Sequence, residues 1–482
     1  MQLNPANRPP ARRGHSIAYD SSPAVQAFVV LGGTDASGQP LNDSWKFRAS
    51  NWTEHFPPPP GRHYPTLFAD PISRRLVLFG GAVTTAASTV LGDTWEFDQD
   101  RWRQVSVTGP AGRYASASCW MSSSISALLF GGILGDRSIN GETWSWNGAG
   151  WVQRFPAQSP PPLWGHGMAY DAARDRVVLF GGVPGSAVQN QTWEWDGTNW
   201  QQRLPQTVPP GRQSFGMAYD VARARVVIWG GSTLPGPTIN DTWEWDGTDW
   251  TLRTTAPSAT PAPGSGQMVY DASRRRCVLH NVGDQLAWEW DGQSWIRRTP
   301  TVSLPPRDGF AMAYDNANAR VALVGGYFGS QHPALGINET WFYHPVRPAT
   351  ATERGAACPG SGGMPRLAPL GSARPWLDDS FPVQLTGVPT GSISILFIGA
   401  SNSLWFNVPL PLPLQGFPGC SLHVSLDLGP LAFVSSQGIS LPIPNSPALA
   451  GSHLYLQAFT IDTGVQGSIT TSNALDLRLA GK

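Results

Sequence analysis

The stretch at residues 168–200 reads MAYDAARDRVVLFGGVPGSAVQNQTWEWDGTNW and carries the signals that decide the fold. Two short apolar runs lead to the glycine pair Gly181–Gly182. Two tryptophans, Trp193 and Trp200, then flank an Asp-Gly turn. An Asp-Gly pair between alternating aromatic segments is a strong signal for a β-hairpin. We therefore expect four short antiparallel strands in one such stretch.

The same pattern recurs through the first 345 residues. Glycine pairs follow apolar runs at Gly32–Gly33, Gly80–Gly81, Gly131–Gly132, Gly181–Gly182, Gly230–Gly231 and Gly325–Gly326, and a degraded copy lies at Val278–Gly283. Each copy then has a tryptophan, and in six of the seven a second tryptophan follows seven residues later. In the first copy we expect strands at about 14–19, 26–32, 43–48 and 51–56.

One four-stranded sheet cannot bury both of its apolar faces, whereas sheets packed radially against each other can. The glycine doublet, the spaced aromatics and the period together resemble the kelch repeat. This resemblance implies an all-β fold, a seven-bladed kelch-type β-propeller over residues 1–345. The seventh copy has Pro348 where the others have the second tryptophan. We therefore expect residues 2–6 to supply the outer strand of the last blade.

Composition changes after His344, where tryptophan becomes rare and Gly, Ser, Pro and Leu increase. We expect a linker at 346–357 and a separate domain at 358–482. Period-two runs such as 381–385, 393–398 and 454–459 predict a small β-sandwich there. The phrases ACPGSGG at 357–363 and FPGCSL at 417–422 resemble a C-terminal module of many secreted bacterial proteins, for which no activity can be carried over.

The four cysteines divide into two pairs with different expectations. Cys119 and Cys277 align with small apolar strand positions of other copies, which predicts buried free thiols. Cys358 and Cys420 belong to the same small domain, and we expect them to form a disulfide. A disulfide favours an oxidising compartment and hence an extracellular or cell-surface protein. The N-terminal sequence has no apolar leader, so an intracellular scaffold with free thiols stays open.

Charge and hydropathy exclude two classes of partner. The 33 basic and 33 acidic residues balance, without the basic stripe that nucleic-acid binding needs. No apolar run reaches the roughly 18 residues of a membrane-spanning helix. We expect a monomer whose partner is a glycan or a protein.

An arginine stands near the start of five copies, eight residues before the end of the first strand. These residues are Arg12, Arg62, Arg113, Arg212 and Arg307, and the other two copies have Leu163 and Pro263 instead. In kelch domains that bind acidic peptides, arginines at comparable positions contact the partner, so the resemblance makes the five a candidate ligand-binding set. A guanidinium can grip carboxylates or sulfates bidentately. The alternative is a structural role, in which each arginine binds backbone carbonyls.

Catalytic groups do not assemble into a known pattern. Tyr343-His344 is similar to a ligand pair of galactose oxidase, a copper enzyme on a seven-bladed kelch propeller, but no second matching pair occurs. His15, His63 and His166 do not superpose as ligands, so we predict no catalytic residue, metal or cofactor. Asp43, Asp93, Glu142, Asp241 and Glu339 precede the first tryptophan, which points to turn capping.

The leading hypothesis is a non-catalytic exported or surface protein that binds a glycan or protein ligand through its propeller loops. The loops after the glycine pairs vary most, at 34–42, 82–92, 133–140, 183–190, 232–240 and 327–337. The alternative is a carbohydrate-active enzyme, either a galactose-oxidase-like copper oxidase or a sugar epimerase.

Overall fold

The protein is represented by a computed structural model, and every regular element in it is a β-strand. It describes residues 2–3, 5, 7–22, 25–48, 51–55, 58–83, 89–98, 100–105, 108–234, 236–253, 260–284, 286–298, 307–316, 318–327, 337–343, 350–371, 373, 375, 379–405, 408–414, 420–426, 430–434, 439–443, 452–462 and 468–479. The chain divides into two compact units, Met1–Tyr343 and His344–Lys482.

The first unit repeats one four-stranded antiparallel sheet. After β1 (Gln2–Leu3), the first sheet has β2 (Ser16–Asp20), β3 (Ala27–Leu31), β4 (Ser44–Arg48) and β5 (Asn51–Glu54); the second has β6 (Thr66–Asp70), β7 (Arg75–Phe79), β8 (Thr94–Asp98) and β9 (Arg101–Val105). A short pair, β10 (Arg113–Tyr114) and β13 (Ile133–Leu134), brackets the first strands of the third sheet, which has β11 (Ala117–Met121), β12 (Ser126–Phe130), β14 (Thr143–Trp146) and β15 (Trp151–Arg154).

The remaining sheets of this unit follow the same order. The fourth has β16 (Gly167–Asp171), β17 (Arg176–Phe180), β18 (Thr192–Trp195) and β19 (Trp200–Arg203); the fifth has β20 (Gly216–Asp220), β21 (Arg225–Trp229), β22 (Thr242–Trp245) and β23 (Trp250–Arg253). The sixth has β24 (Gly266–Asp271), β25 (Arg276–Asn281), β26 (Ala287–Trp290) and β27 (Trp295–Arg298), and the seventh has β28 (Ala311–Asp315), β29 (Arg320–Val324) and β30 (Thr340–Tyr343) with β1 at its edge.

The apolar cores lie between neighbouring sheets. The second strand of each sheet is buried on both faces, as the pattern of β3 shows. Phe180 of the fourth sheet packs with Ile228 and Trp250 of the fifth, and Phe28 of the first packs with Phe342 of the seventh. The first strands also contact one another in a closed cycle, from β2 through β6, β11, β16, β20, β24 and β28 back to β2. This arrangement is consistent with a propeller-like all-β repeat protein.

The glycine doublet is required by the close approach of the next sheet. Gly32 and Gly33 have φ of 66° and 90°, which L side chains rarely adopt. The N–H of Gly33 donates to the carbonyl of Arg62 at 2.8 Å, and a Cβ on Gly32 would collide with that same oxygen. The N–H of Gly326 makes the equivalent bond to Arg12 at 2.9 Å and so joins the seventh sheet to the first.

The second tryptophan of each of the first six copies links two adjacent sheets. Its indole N–H donates at 2.7–2.9 Å to a Ser or Thr hydroxyl at the start of the previous sheet's third strand, in the pairs Trp52–Thr340, Trp102–Ser44, Trp151–Thr94, Trp200–Thr143, Trp250–Thr192 and Trp295–Thr242. These bonds explain why both residue types recur at fixed positions.

The N-terminal segment completes the seventh sheet, as we predict from the sequence. Gln2 pairs with Trp341 and Leu3 with Thr340 in antiparallel register. Residues 4 and 6 of the predicted strand lie outside the described residues. Strand pairing thus joins the two ends of the first unit.

The second unit is built from β31 (Thr350–Arg354), β32 (Arg366–Pro369), β33 (Asp379–Thr386), β34 (Ile393–Gly399), β35 (Leu404–Trp405), β36 (Val408–Pro409), β37 (Leu412–Pro413), β38 (Ser421–Leu422), β39 (Pro430–Val434), β40 (Ile439–Ile443), β41 (His453–Asp462) and β42 (Ser468–Arg478). A five-stranded sheet has the order β31-β42-β41-β34-β39, and a three-stranded sheet has the order β32-β33-β40. Phe381 and Leu441 of the smaller sheet share a core with Leu396 and Leu456 of the larger. The segment expected as a linker, 346–357, contains β31.

The predicted disulfide is present between Cys358 and Cys420. It links the start of the second unit to the segment before β38, and both cysteines are buried. Cys119 and Cys277 are free thiols; Cys277 is buried as predicted, whereas Cys119 is only partly buried. Burial raises the pKa of the Cys119 thiol to about 12 and that of Cys277 well above its usual value. Both free thiols are therefore protonated, as expected for packing residues.

Candidate functional site

The five predicted arginines are buried, and each forms an ion pair within its own sheet, which we call an arginine staple. Arg12 donates two bonds to the carboxylate of Asp43 at 2.7 and 2.5 Å, one to the Gly32 carbonyl at 2.9 Å and one to the Pro10 carbonyl at 3.1 Å. The other four pair with acids in the same way, as Arg62–Asp93, Arg113–Glu142, Arg212–Asp241 and Arg307–Glu339. All five are at most 1% exposed. Their placement favours the structural alternative, and ligand binding by them stays an untested prediction.

The two copies without the arginine support this interpretation. Where Leu163 replaces the arginine, the paired acid is also replaced, by Gln191. Gln189 then donates to the carbonyl of Gly181, which an arginine serves elsewhere. In the sixth sheet Asn281 donates to the Ala262 carbonyl at 2.9 Å. In the fourth sheet charge is thus lost from both partners together, because an unpaired buried carboxylate is costly. The sixth sheet keeps a carboxylate, Asp284, which accepts the indole N–H of Trp288 and the backbone N–H of Ala262, each at 3.0 Å, in place of an arginine.

The carboxylates before the first tryptophan are the other half of these staples. Asp43 also accepts the indole N–H of Trp45 at 2.8 Å, and Asp241 accepts that of Trp243 at the same distance. Burial opposes ionisation of Asp93, yet its bonds to Arg62 hold its pKa below the ordinary value. These acids therefore bind an arginine and an indole, a more specific role than the turn capping we expect from the sequence.

Tyr343 has a structural partner as well. It occupies the position of Trp245 and Trp290 in other sheets, and its hydroxyl donates to Glu289 of the sixth sheet. The guanidinium of Arg274 lies 4.9 Å from the centre of its ring. His344, the other residue of the pair similar to oxidase ligands, lies outside the described residues.

The buried histidines pack as aromatic rings. His166 stands where the next sheet has Phe215, and its ring lies edge-on to Phe130 at 5.5 Å between centroids. His280 packs in the same way on Phe310 at 4.8 Å. Burial lowers the pKa of His15, His166 and His280 to about 3, so all three are neutral near pH 7.

Exposed and half-buried side chains lie one or two residues after the arginine positions. We call this set the rim: Arg13, Tyr64, Tyr114, Trp164, Gln213 and Asp308. Backbone bonds link the rim turns of neighbouring sheets through residues next to the rim, since the N–H of Tyr64 donates to Gly14 at 2.7 Å and that of Gly14 donates to Gly309 at 3.1 Å. The rim therefore lies at the N-terminal ends of the first strands.

Three rim side chains converge from three different sheets. Tyr64 is 52% exposed and lies over Gly14, where a Cβ would be 3.2 Å from its ring. Arg13 lies against Gly309, where a Cβ would be 2.9 Å from the Arg13 Cβ, and Asp308 directly precedes that glycine. Burial raises the pKa of Tyr64; the charge of Asp308 adds to this and that of Arg13 opposes it. Arg13 also stacks on Tyr327, 5.3 Å from the ring centre. The group offers a guanidinium, a carboxylate and an aromatic ring to solvent.

A left-handed backbone turn recurs at the rim. Tyr64 has φ of 50°, in a region that bulky residues rarely adopt. The equivalent residues Ala115 and Ser214 have φ of 55° and 54°, and Gly14, Gly165 and Gly309 occupy the position in three other copies. The turn is therefore a feature of the repeat, and Tyr64 differs from its equivalents in carrying an aromatic side chain there.

The predicted binding loops begin beside the rim. Residue Arg13 forms a β-bridge with Thr34, His63 with Ala82, and Asp308 with Tyr327. The loop at 34–42 is held by the Asp35 carboxylate, which accepts from the N–H groups of Ser37 and Gln39. Residues 84–88, 235 and 328–336 of the other loops lie outside the described residues. The loops were predicted from the sequence, but the rim was not, although the rim residues stand at a nearly constant distance from the arginine positions in the repeat.

Among the residues that the structure covers, no three His, Cys, Asp or Glu side chains are grouped so as to hold a metal ion. The same residues contain no helix that is long and apolar enough to span a membrane. No protein-family model and no curated protein sequence matches the chain.

Proposed function

We propose that the protein is a non-catalytic, exported or cell-surface binding protein, in which a seven-bladed kelch-type propeller presents its rim to a glycan or protein ligand. The observation that carries this proposal is the convergence of Arg13, Tyr64 and Asp308 at one end of the first strands. Together they supply donors, acceptors and an aromatic face, which a polar ligand needs. The second unit, proposed to be a β-sandwich, would serve as a secretion or surface module.

Two further observations support the proposal. The closed cycle of first strands and the seven four-stranded sheets among the described residues fit seven blades around a central channel, with the rim at its mouth. The disulfide between Cys358 and Cys420 fits an oxidising compartment.

The test is a glycan array probed with the intact protein and with Arg13→Ala and Tyr64→Ala variants. We expect binding to a glycan class that falls at least tenfold in each variant, because both groups would contact the ligand. Phe155→Ala is the matched control, since Phe155 is an aromatic residue that is 83% exposed and lies outside the rim. Its binding should equal that of the parent protein.

Other outcomes of this experiment have definite meanings. Binding that survives both rim substitutions would move the ligand to the loops and contradict the rim site. Release of a new product from an arrayed glycan would overturn the non-catalytic proposal in favour of a carbohydrate-active enzyme. If no glycan is retained on the array, the proposal of a glycan ligand is wrong and a protein ligand remains as the proposal.

A further inference from the structure

A hollow lies between the third and fourth sheets, at the opposite end of the first strands from the rim. It has a volume of about 200 Å³ and is lined by Met121, Ser124, Asp175, Trp195, Asp196 and Gly197. The strand Ala117–Met121 runs from the rim to its edge. The hollow is thus separate from the site proposed above.

An arginine fills the equivalent space at the next two interfaces. Arg174 of the fourth sheet lies against Gly247 of the fifth, where a Cβ would be 2.5 Å from its Nε. Arg223 lies against Gly292 in the same way, at 2.6 Å. The corresponding glycine at the hollow is Gly197, and apart from its two chain neighbours no described residue has an atom within 4 Å of its Cβ position. The repeat position of these arginines is occupied by Ser124 in the third sheet.

The third sheet has lost the whole buried ion network of its neighbours. In the fourth sheet Arg174 bridges Asp171 at 2.7 Å and Glu194 at 2.6 Å. The equivalent residues of the third sheet are Met121, Ser124 and Ser145. Removing all three charged groups together leaves space but no unpaired buried ion.

One buried donor is left without its usual acceptor. Trp245 donates its indole N–H to Glu194 at 2.8 Å, and Trp290 donates to Glu244 at 2.7 Å. Trp195 has the same position in the fourth sheet and is 1% exposed, but its indole N–H has no hydrogen-bond partner among the described residues. A buried N–H without a partner is costly, so a ligand that accepts from it would be favoured.

Two carboxylates at the hollow are ionised. Hydrogen bonds from the hydroxyls of Ser123 and Tyr170 lower the pKa of Asp175. Burial opposes ionisation of Asp196, but bonds from the backbone at Asn199 and Thr198 hold its pKa below the usual range. The charge of Arg176 also lowers the pKa of both carboxyls, and its guanidinium donates to the Asp175 carbonyl at 2.8 Å. The hollow therefore has net negative character.

We propose that this hollow binds the guanidinium of an arginine side chain carried by a partner peptide. The bound guanidinium takes the space that Arg174 and Arg223 take in the neighbouring interfaces and donates to Asp175 and Asp196. A peptide carbonyl next to it accepts the indole N–H of Trp195. Arginine suits the site better than lysine, because its planar fork can serve two carboxylates at once.

The experiment is a titration of the ¹⁵N-labelled protein with N-acetyl-arginine amide, observed at the indole N–H of Trp195, which a Trp195→Phe variant assigns. We expect a saturable shift of this signal and of the Gly197 amide. N-acetyl-citrulline amide, which has the same shape without the charge, should cause no shift. The Asp175→Asn/Asp196→Asn double variant should bind at least tenfold more weakly.

A substitution that fills the hollow from within gives a second test. Ser124→Arg places the missing side chain beside Gly197 and should abolish the shift with N-acetyl-arginine amide. Ser124→Arg combined with Met121→Asp and Ser145→Glu restores the network of the fourth sheet and should do the same if the single variant folds poorly. Ser73→Arg adds the same charge at the equivalent position of the second sheet, and binding should be unchanged.

Three results would overturn the proposal. These are no shift at any concentration of N-acetyl-arginine amide, an equal shift with the citrulline compound, and undiminished binding in the Ser124→Arg variants. A shift with maltose but not with the arginine compound would reassign the hollow to a neutral sugar. None of these outcomes depends on the rim variants, so this proposal and the proposed function fail separately.

Discussion

At the scale of single residues, two residues that contact each other in one copy of the repeat are both different in another copy. Arg62 and Asp93 are both charged, whereas Leu163 and Gln191 at the same positions are both neutral. Packing is matched in the same way, because Gly266 leaves space for Trp229 of the preceding sheet, whose ring would lie 3.3 Å from a Cβ there. A comparison of the copies therefore shows which residues change together because they contact each other.

The first prediction concerns the arginine staple. Arg62→Leu should lower the free energy of unfolding by about 3–5 kcal/mol, because it leaves the Asp93 carboxylate buried without its partner. Adding Asp93→Gln, which copies the fourth sheet, should recover part of this loss. Urea denaturation followed by tryptophan fluorescence measures both variants.

The control for this prediction is Arg297→Leu, at an exposed arginine of the sixth sheet. It should change stability by at most about 0.5 kcal/mol, as surface substitutions usually do. Equal stability of the Arg62→Leu and Arg297→Leu variants would contradict the structural role of the buried arginines.

The second prediction concerns pH. His166 has a folded-state pKa of about 3 against an ordinary 6.5, so the unfolded chain binds a proton that the folded chain does not. Its contribution to stability is complete above pH 6.5 and is lost as the pH falls towards 3, by about 2 kcal/mol at pH 5. His166→Phe should therefore reduce the loss of stability between pH 7.5 and pH 5.

Denaturation midpoints at the two pH values measure this effect. Phe215→His is the reciprocal variant, since Phe215 has the same position one sheet later, and it should increase the pH dependence. An unchanged pH dependence in His166→Phe would show that His166 is not protonated on unfolding in the way that its burial requires.

At the scale of elements, the sheets depend on bonds that cross from one to the next. The six indole-to-hydroxyl bonds follow one rule, in which a tryptophan donates to the Ser or Thr that opens the third strand of the sheet before it. The sixth sheet has Ala287 at the hydroxyl position, and the seventh copy has Pro348 at the tryptophan position. Both members of this one bond are absent together.

The third prediction tests this rule. Thr340→Val and Thr192→Val should each cost about 1–3 kcal/mol, because each leaves a buried indole N–H, of Trp52 or Trp250, without an acceptor. Valine keeps the shape of threonine, so packing is little changed. The free energy of unfolding from urea titrations is the measurement.

Ala287→Thr is the matched comparison. It adds a hydroxyl where the following copy has no tryptophan, and stability should change by less than about 0.5 kcal/mol. If Thr340→Val were as stable as the parent protein, the bond between the seventh and first sheets would not contribute as proposed.

At the scale of the whole molecule, two units with different means of stabilisation share one chain. The first unit buries aromatic side chains between sheets, whereas the second has a smaller core and the Cys358–Cys420 disulfide. Small domains with limited cores often depend on such covalent links.

The fourth prediction concerns this disulfide, which closes a loop of 62 residues. Cys358→Ser/Cys420→Ser should lower the stability of the second unit by about 2–5 kcal/mol, because the unfolded chain gains conformational freedom. Hydrogen exchange measures the loss unit by unit, and the first unit should be unaffected. Cys119→Ala, at a free thiol of the first unit, should leave the second unit unchanged; equal protection in the double variant would contradict the prediction.

Much of the fold was predictable from the sequence. The four strands of the first copy were expected within about two residues of Ser16–Asp20, Ala27–Leu31, Ser44–Arg48 and Asn51–Glu54. The disulfide and the strand added by Gln2–Leu3 were also predicted correctly. Repetition made this possible, since seven copies of one pattern average out the ambiguity of any single stretch.

The repeated sheets, the glycine doublets and the paired tryptophans are predictable from the amino-acid sequence alone, because these depend on local backbone geometry and on contacts with fixed spacing. The burial of the arginines, the convergence of Arg13, Tyr64 and Asp308, and the hollow beside Gly197 are visible only in the folded chain. Burial and convergence arise when residues from different sheets, tens or hundreds of positions apart, are brought together. Local sequence patterns do not contain this information, because it depends on how distant residues meet in the folded chain.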